Sequence, residues 1–352
     1  MPLPQQRDPE ATRRQLAPWL ARRMPQARDL AITNLAPPAA TGFSNDTLLF
    51  ELEWTEDGRA RRQGMVVRIE PSGFTVFPAY DVGQQFRIMQ RLGETTDVPV
   101  PPMYWLEERT AVLGARFFVM GRVEGRIPPD NPPYHAAGWM TEIAPAARAA
   151  LWWDGLEVLA RIHRLDWRRL GFDFLAHGTP GLDAQLDYYA RYLAWAAGGR
   201  PAPVIEEGLA WLRRHRPADE PLGLCWGDAR IGNMIFAGAR CRAVLDWEMA
   251  TLGNPEQDLA WWLFLDRHHS EGIGIERLAG LPGREETVAR YEELMGRPVR
   301  HLDYYEVFAA FRFAVIMCRL WQLLIAYGAV PADADPQASN IPARLLAGML
   351  AR

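Results

Sequence analysis

Two nearby segments decide how this chain folds: Cys225-Trp-Gly-Asp-Ala-Arg-Ile-Gly-Asn233 and Leu245-Asp-Trp-Glu248. The first places a carboxylate, Asp228, five positions before an amide, Asn233, and the second adds another carboxylate, Asp246. Asp and Asn beside short strands are most often turn residues, so the triplet alone leaves a purely structural role open. The rest of the chain decides between that role and a chemical one.

The residues between Asn233 and Asp246 predict a hairpin. Met234–Phe236 and Cys241–Leu245 have the composition of short strands, and the small residues around Gly238 form a turn. Because an antiparallel hairpin returns the chain to its starting end, Asn233 and Asp246 are expected to face each other at its open end. Two oxygen ligands held on neighbouring strands, with room for phosphate oxygens, suit Mg²⁺.

Protein kinases use the same five-residue step from the catalytic-loop Asp to a metal-binding Asn, followed by a further Asp on the second metal site. Asp228, Asn233 and Asp246 follow this order, which predicts phosphoryl transfer. Other chemistries find less support. The sequence has no G-x-S-x-G elbow and no G-x-G-x-x-G after a strand, and His268-His269 lacks the further ligands of a zinc site.

The composition is that of an ordinary soluble globular protein with one large or two ordinary domains: 352 residues, 49% hydrophobic and 23% charged. A net charge of −4 gives no basic surface for nucleic acid. The three cysteines show no C-x-x-C spacing and cannot all pair, which favours a reducing cytoplasm. The chain contains no Lys, so all 39 basic residues are Arg, although kinases normally use a Lys on the nucleotide phosphates.

Targeting and membrane segments are not predicted. The first thirty residues are polar and rich in Arg and Pro, unlike a secretory signal. The apolar stretch Val307–Ala326 is interrupted by Arg312 and Arg319, which favours a buried helix over a membrane span.

The predicted elements indicate an α+β fold with a small N-terminal β-sheet lobe and a large helical C-terminal lobe. A helix opened by Asp8-Pro9 extends to about Arg23. The sheet lobe then has one main internal helix, Val82–Leu92, and five strands: Leu30–Leu35, Thr47–Trp54, Met65–Ile69, Met103–Glu107 and Phe117–Met120. The following helices are predicted at Leu151–Leu165, Leu182–Ala197, Pro203–Arg214, Asp258–Asp266, Arg284–Met295 and Leu302–Tyr327.

Motifs in almost the whole chain now support a resemblance: Thr41-Gly-Phe-Ser-Asn45, Val67-Arg-Ile69, Phe118-Val-Met120, Ile162-His-Arg-Leu-Asp166, Trp226-Gly-Asp228 to Asn233, Leu245-Asp-Trp-Glu248 and Thr251 to Ala260. The chain resembles the aminoglycoside/choline-kinase-like phosphotransferase family, which has the protein-kinase fold. It is most similar to the subgroup linked to acyl-CoA dehydrogenases. The resemblance implies a nucleotide-binding lobe over residues 1–121 and a catalytic, substrate-binding helical lobe over residues 122–352.

The resemblance implies the following roles in the C-terminal lobe. Asp228 is the catalytic carboxylate, which accepts the proton of the substrate hydroxyl or orients that hydroxyl. Arg230 stands where protein kinases carry a Lys that contacts the γ-phosphate, although a structural ion pair is an alternative. Asn233 and Asp246 hold Mg²⁺, and Glu248 either assists the metal or is a solvated turn residue.

In the N-terminal lobe the resemblance implies ATP binding. The loop residues Gly42, Phe43, Ser44 and Asn45 are expected to face the triphosphate with backbone N–H groups, although alone they predict only a hairpin turn. Arg68 stands where the strand Lys contacts the α- and β-phosphates, and Gln85 replaces the acidic residue that normally pairs with that Lys. Phe118 and Met120 begin the segment that would hold adenine through backbone groups.

Three further positions, Trp226, Asp258 and His163, have expected roles, and Gln85 has a further consequence. Trp226 replaces the usual His and is expected to support the loop by packing and hydrogen bonding. Asp258 is expected to cap a helix and to support the catalytic loop. Gln85 can accept one hydrogen bond but offers no charge to Arg68, which keeps a pseudokinase alternative open. His163 is expected to be a satisfied structural residue.

The predicted function is ATP- and Mg²⁺-dependent transfer of the γ-phosphate to a hydroxyl of a small molecule. Between Arg126 and Glu220 there are twelve acidic residues against eleven Arg, so the strongly acidic pocket that a polycationic aminoglycoside needs is not evident. Many aromatic residues favour an apolar hydroxylated metabolite or a hydroxyacyl thioester. An aminoglycoside or macrolide acceptor remains an alternative, as does a nucleotide-binding pseudokinase. Nucleic-acid and membrane partners are not expected.

Overall fold

The structure is a computed structural model that describes residues 7–38, 46–71, 73, 75–176, 178–218, 221–331 and 340–351. The chain divides into two compact units, Met1–Glu124 and Gly125–Arg352. Each unit has its own buried core and is described by itself.

The first unit is an antiparallel sheet with two helices. Its elements are α1 (Pro9–Arg23), β1 (Arg28–Ala36), β2 (Asp46–Glu56), β3 (Arg59–Ile69), α2 (Val82–Thr95), β4 (Met103–Glu107) and β5 (Phe117–Gly121). The strand order is β1-β2-β3-β5-β4. Every strand and helix predicted for this part of the chain is present, and Asp8 caps α1 by accepting from the backbone N–H of Glu10 at 2.9 Å.

Strand β3 begins six residues before the prediction of Met65–Ile69. Its first half, Arg59–Gln63, is mostly polar and exposed, yet it pairs residue for residue with Leu52–Glu56 of β2. A search for apolar alternation misses such residues, because backbone pairing with the neighbouring strand holds them rather than burial.

The second unit is mostly helical and carries two small two-stranded sheets. Its elements are α3 (Trp139–Glu142), α4 (Pro145–His163), α5 (Leu182–Ala197), α6 (Pro203–Arg214), β6 (Gly223–Cys225), β7 (Met234–Ala237), β8 (Arg240–Val244), β9 (Thr251–Gly253), α7 (Glu256–His268), α8 (Arg284–Met295), α9 (Leu302–Ala326) and α10 (Ile341–Leu350). Strand β6 pairs with β9, and β7 pairs with β8. The sequence did not predict α3, β6, β9 or α10, and it placed the start of α4 at Leu151 instead of Pro145.

Helix α9 organises the core of this unit. Over the described residues it is the helix that is long and apolar enough to cross a membrane by length and composition, and 61% of its most apolar window is buried inside the protein. Arg312 and Arg319, which interrupt its apolar sequence, are 2% and 9% exposed. Burial of both faces is the reason that its sequence is almost uniformly apolar.

Candidate active site

The hairpin β7–β8 has the predicted geometry. Met234 pairs with Val244 across the two strands, and Gly238 takes the positive φ of 61° that the turn requires. The backbone N–H of Leu245 donates to the carbonyl of Asn233 at 2.9 Å, so Asp246 follows directly beside Asn233 at the open end. Asp246 itself has φ 60° and ψ 62°, a left-handed conformation in which Asp is tolerated at a cost of about 1 kcal/mol.

The carboxylate of Asp228 is held by three side-chain donors. Asn233 Nδ2 donates to one carboxylate oxygen at 2.6 Å, and Trp261 Nε1 donates to the other at 2.7 Å. Arg230 Nε lies 3.1 Å from the oxygen that Trp261 contacts. Asn233 Nδ2 also reaches the backbone carbonyl of Asp228 at 3.1 Å. These charge-assisted bonds fix the orientation of the carboxylate, whose side chain is 19% exposed.

Arg230 bridges two carboxylates that are distant in sequence. Its Nε contacts Asp228, and its Nη1 donates to Asp130 at 2.5 Å. Burial disfavours the charge on Arg230, but Asp130 and Asp228 outweigh burial and raise its pKa above the usual range. Burial likewise acts to raise the pKa of Asp130, and the positive charge of Arg230 nevertheless holds that pKa below its usual value. The pair therefore stays ionised at neutral pH.

Asp258 holds the backbone of the loop that carries Asp228. Its carboxylate accepts from the backbone N–H groups of Trp226 at 2.6 Å and Gly227 at 3.0 Å. The N-cap position of α7 is Pro255, so the expected capping role of Asp258 is wrong, because the helix begins two residues earlier than predicted. The structure shows the expected support of the loop that carries Asp228.

The residue His163 is satisfied on both ring nitrogens. Nε2 lies 3.1 Å from Asp258 and Nδ1 lies 2.6 Å from the hydroxyl of Tyr291, and the ring is buried. These contacts make His163 a structural residue, as the sequence predicted.

Trp226, which replaces the usual His, is fully buried and donates from Nε1 to the carbonyl of Leu245 at 2.8 Å. This bond ties the loop of Asp228 to the residue before Asp246. Gly227 takes φ 93°, and a Cβ at this position would lie 2.7 Å from Cβ of Met249, so the loop requires glycine.

The sequence assigned no site role to three residues that the structure places on Asp228 or its neighbours Arg230 and Gly227: Asp130, Trp261 and Arg312. Arg312 donates from Nη2 to the carbonyl of Gly227 at 3.0 Å, and its guanidinium carbon lies 4.6 Å from the ring centre of Trp261. The sequence did contain a signal for Trp261. It lies three residues after Asp258 on the same helix, and residues three apart on a helix share a face. Asp130 offered no signal, since it lies in a Pro-rich loop about 100 residues earlier in the chain.

The first unit holds the other predicted residues. Arg68 on β3 is directly opposite Phe118 on β5, and both are buried. Met120, two residues further along β5, pairs with Val66. Gln85 on α2 is 1% exposed, and neither polar atom of its amide has a hydrogen-bond partner among the described residues. The expected hydrogen bond from Arg68 to Gln85 is therefore not formed in this structure.

The predicted loop residues Gly42, Phe43, Ser44 and Asn45 lie outside the described residues.

The donor set at the hairpin suits a hard cation. Because Asn233 uses its amide nitrogen on Asp228, its Oδ1 is the atom left for another partner. Within the described ranges no group of three or more His, Cys, Asp or Glu side chains could hold a metal alone. Mg²⁺ does not need such a group, since it commonly takes one or two protein oxygens and completes its shell with phosphates and water. Asn233, Asp246 and Glu248 therefore fit Mg²⁺ better than zinc.

The phosphotransferase enzyme family APH matches residues 36–294, about three quarters of the chain. The chain belongs to this family. Its membership confirms the predicted resemblance and the α+β protein-kinase-like fold, and it makes the protein a small-molecule phosphotransferase.

Individual relatives agree with this assignment. A protein of Arabidopsis thaliana named probable acyl-CoA dehydrogenase IBR3 is 31% identical over 295 residues, which are 78% of this chain and 34% of that protein. The chain thus spans about a third of that relative's length. A crystal structure from Ralstonia eutropha JMP134, provisionally assigned as an aminoglycoside phosphotransferase, is 26% identical with a TM-score of 0.68, and covers 97% of this chain and 96% of its own.

The fold also matches aminoglycoside phosphotransferase APH(4)-Ia, whose ternary complex with ADP and hygromycin B is 15% identical with a TM-score of 0.57. The match covers 96% of this chain and 99% of that one. At this identity the likeness concerns the fold alone.

Proposed function

We propose that this phosphotransferase transfers the γ-phosphate of ATP, in the presence of Mg²⁺, to a hydroxyl of a small molecule. The observation that carries the proposal is the link between Asp228 and Asn233 at the open end of the β7–β8 hairpin, with Asp246 next to Asn233. A turn residue would need no such arrangement of three side-chain donors on one carboxylate. The same set of residues serves a phosphoryl transfer directly.

In this proposal Asp228 orients the acceptor hydroxyl and takes its proton as the oxygen attacks the phosphorus. The three N–H donors on Asp228 stabilise the anion, so its main contribution is orientation, with proton transfer late in the reaction. Arg230 contacts an oxygen of the transferring phosphoryl group and stabilises the charge that spreads over it.

Asn233 through Oδ1, Asp246 and, as a further ligand, Glu248 would hold Mg²⁺. When bound, the ion neutralises charge on the phosphates and fixes their geometry. The amide of Asn233 cannot rotate without losing both of its bonds to Asp228, so the same side chain couples the metal site to the catalytic carboxylate.

The nucleotide is proposed to bind the first unit through Arg68, the loop Gly42–Asn45 and the backbone at Phe118 and Met120, with Gln85 beside them. ADP in the complex of APH(4)-Ia supports ATP as the donor. Arg68 supplies a permanent positive charge and can bind a phosphate with two parallel hydrogen bonds.

For the acceptor we favour an apolar hydroxylated metabolite or a hydroxyacyl thioester. The relative from Arabidopsis thaliana carries an acyl-CoA dehydrogenase name, which supports an acyl substrate. Trp261, which donates to Asp228, moreover packs against Phe313 with ring centres 5.7 Å apart, so an aromatic pair lies beside Asp228. An aminoglycoside or macrolide is the second candidate, supported by the names of solved neighbours. We propose a cytoplasmic location and no nucleic-acid or membrane partner.

A nucleotide-binding pseudokinase is the candidate of another class. The unsatisfied amide of Gln85 favours it, because an active kinase normally has a charged pair at this position. The bonded set of Asp228, Asn233 and Arg230 argues against it.

A melting-temperature screen separates these possibilities. ATP should raise the melting temperature with Mg²⁺ and much less with EDTA, and a panel of hydroxylated metabolites and hydroxyacyl-CoA esters should then yield a phosphorylated product. Asp228→Asn should bind ATP as the unchanged protein does and turn over at least about 10²-fold more slowly. ATP binding without phosphate transfer or hydrolysis would support the pseudokinase. No stabilisation by any nucleotide would refute both.

A further inference from the structure

The loop that carries Asp130 is anchored to other elements of the second unit at several points. Arg126 and Phe236 on β7 exchange two backbone hydrogen bonds of 2.8 Å. Tyr134 donates from its hydroxyl to Asp266 on α7 at 2.8 Å. The next residue, His135, accepts the backbone N–H of Leu278 at 3.1 Å. Asp130 therefore lies between two fixed points, and its carboxylate is presented to Arg230 by a defined backbone.

The contact between Asp130 and Arg230 is closely packed. Gly232 lies against it, and a Cβ on Gly232 would come within 2.7 Å of Asp130 Oδ1 and would also meet Arg230 Nη1. Arg230 is mostly buried, with 19% of its side chain exposed. Holding the long side chain of Arg230 between two carboxylates costs conformational entropy, and a favourable interaction must offset that cost.

The two contacts leave one nitrogen of Arg230 for another partner. Nε lies against Asp228 and Nη1 against Asp130, while Nη2 makes no hydrogen bond within the part of the chain that the structure describes. A guanidinium is planar, so fixing Nε and Nη1 also fixes the direction of the Nη2 hydrogens.

We infer that Asp130 is a positioning residue, which holds Arg230 so that Nη2 contacts the transferring phosphoryl group and the guanidinium does not close over Asp228. The inference rests on the proposed function. Without Asp130, Nε and a terminal nitrogen of Arg230 can form a two-bond pair with the carboxylate of Asp228, the favoured geometry for Arg and carboxylate. That pair would occupy the oxygen that the acceptor hydroxyl needs.

The test is a double-mutant cycle of Asp130→Asn and Arg230→Ala on MgATP hydrolysis, with water as the acceptor and phosphate release as the readout. Asp130→Asn should lower kcat about tenfold and change the KM for MgATP by less than about twofold. In the Arg230→Ala background it should have no further effect. Asp130→Glu, which keeps the charge, should recover most of the rate, and Asp130→Ser replaces Asp130→Asn if that variant does not fold.

A binding measurement does not depend on turnover. The dissociation constant for MgADP divided by that for Mg-AMPPNP reports the contact to the terminal phosphate. Both Arg230→Ala and Asp130→Asn should lower this quotient. Asp187→Asn is the matched control, because it removes the acid of an exposed Asp–Arg pair at 3.0 Å and should change neither readout.

Three results would count against these ideas in different ways. Multiplicative losses in the double variant, or an unchanged kcat in Asp130→Asn, would overturn the positioning role and leave the proposed function standing. An unchanged protein that neither hydrolyses MgATP nor binds Mg-AMPPNP would overturn both.

Discussion

Replacing Trp261 by Phe tests how much the orientation of Asp228 contributes to catalysis. The change removes the Nε1 donor that lies 2.7 Å from the carboxylate and keeps an aromatic ring between Arg312 and Phe313. A hydrogen bond to a charged group contributes about 1.5–3 kcal/mol, and about 1.4 kcal/mol corresponds to a factor of ten in rate. We therefore expect kcat to fall at least about tenfold, because the carboxylate loses one of its three donors.

The neighbouring residue offers a matched control. Trp262 is equally buried, but its Nε1 has no hydrogen-bond partner within the described ranges, and its ring packs edge-on against Trp152 at 5.2 Å. Trp262→Phe removes the same atoms and leaves a similar cavity, which costs about 1–3 kcal/mol of unfolding free energy in either variant. It removes no hydrogen bond.

The assay compares kcat for MgATP hydrolysis with the free energy of unfolding in urea for both variants. Both should lose stability, and Trp261→Phe alone should lose the additional factor in kcat. Equal losses of kcat in Trp261→Phe and Trp262→Phe would show that Trp261 contributes to catalysis through packing and not through its hydrogen bond to Asp228. An unaltered kcat in Trp261→Phe would falsify the reasoning altogether.

Three further outcomes follow from single side chains. Asp246→Ala should abolish the part of the ATP-induced rise in melting temperature that depends on Mg²⁺, and an equal rise in EDTA for the unchanged protein would refute the metal assignment. Burial, and to a smaller extent the charge of the neighbouring His269, lowers the pKa of His268 from 6.5 to about 3. The unfolded chain therefore takes up the proton more readily than the folded one, so the free energy of unfolding is highest above pH 6.5 and declines as the pH falls toward 3. The decline in unfolding free energy from pH 8 to pH 5, measured by urea unfolding, should be about 2 kcal/mol smaller in His268→Gln than in the unchanged protein. The hydrogen bond from Arg109, ahead of that from Trp19, lowers the pKa of Glu107 to about 2, so Glu107→Gln should cost about 1–3 kcal/mol at pH 7, while the exposed Glu10→Gln should change the unfolding free energy little.

The parts of the fold that sequence predicts well are those where burial and local chemistry agree. The hairpin after Asn233 is one example, because apolar strand residues flank a turn that only small residues can make. The cap at Asp8 is another, since it depends on residues two positions apart. The three-residue strands β6 and β9 were missed because they are too short for any period to show.

The residues of the candidate site also differ in how well the sequence predicts them. Spacing predicted Asp228, Asn233 and Asp246 as site residues, since all three lie on one continuous loop and hairpin. It could not identify Asp130, which reaches Arg230 only because Arg126 pairs with β7 and fixes the intervening loop. Contacts that tertiary pairing creates leave no local pattern in a single sequence.

The two departures from the family pattern have different structural consequences. The loss of the usual His at Trp226 is compensated, because the indole N–H donates to the carbonyl of Leu245 and joins the segment of Asp228 to the segment of Asp246. Gln85 is not compensated by any described residue, so a buried amide stays unsatisfied at a cost of about 1–3 kcal/mol. Buried polar groups in native proteins are almost always satisfied, and a functional role or a bound water or ion is a usual reason for an exception. The unsatisfied amide lies in the first unit, which we propose binds the nucleotide, so ligand binding should change local stability there more than at the hairpin.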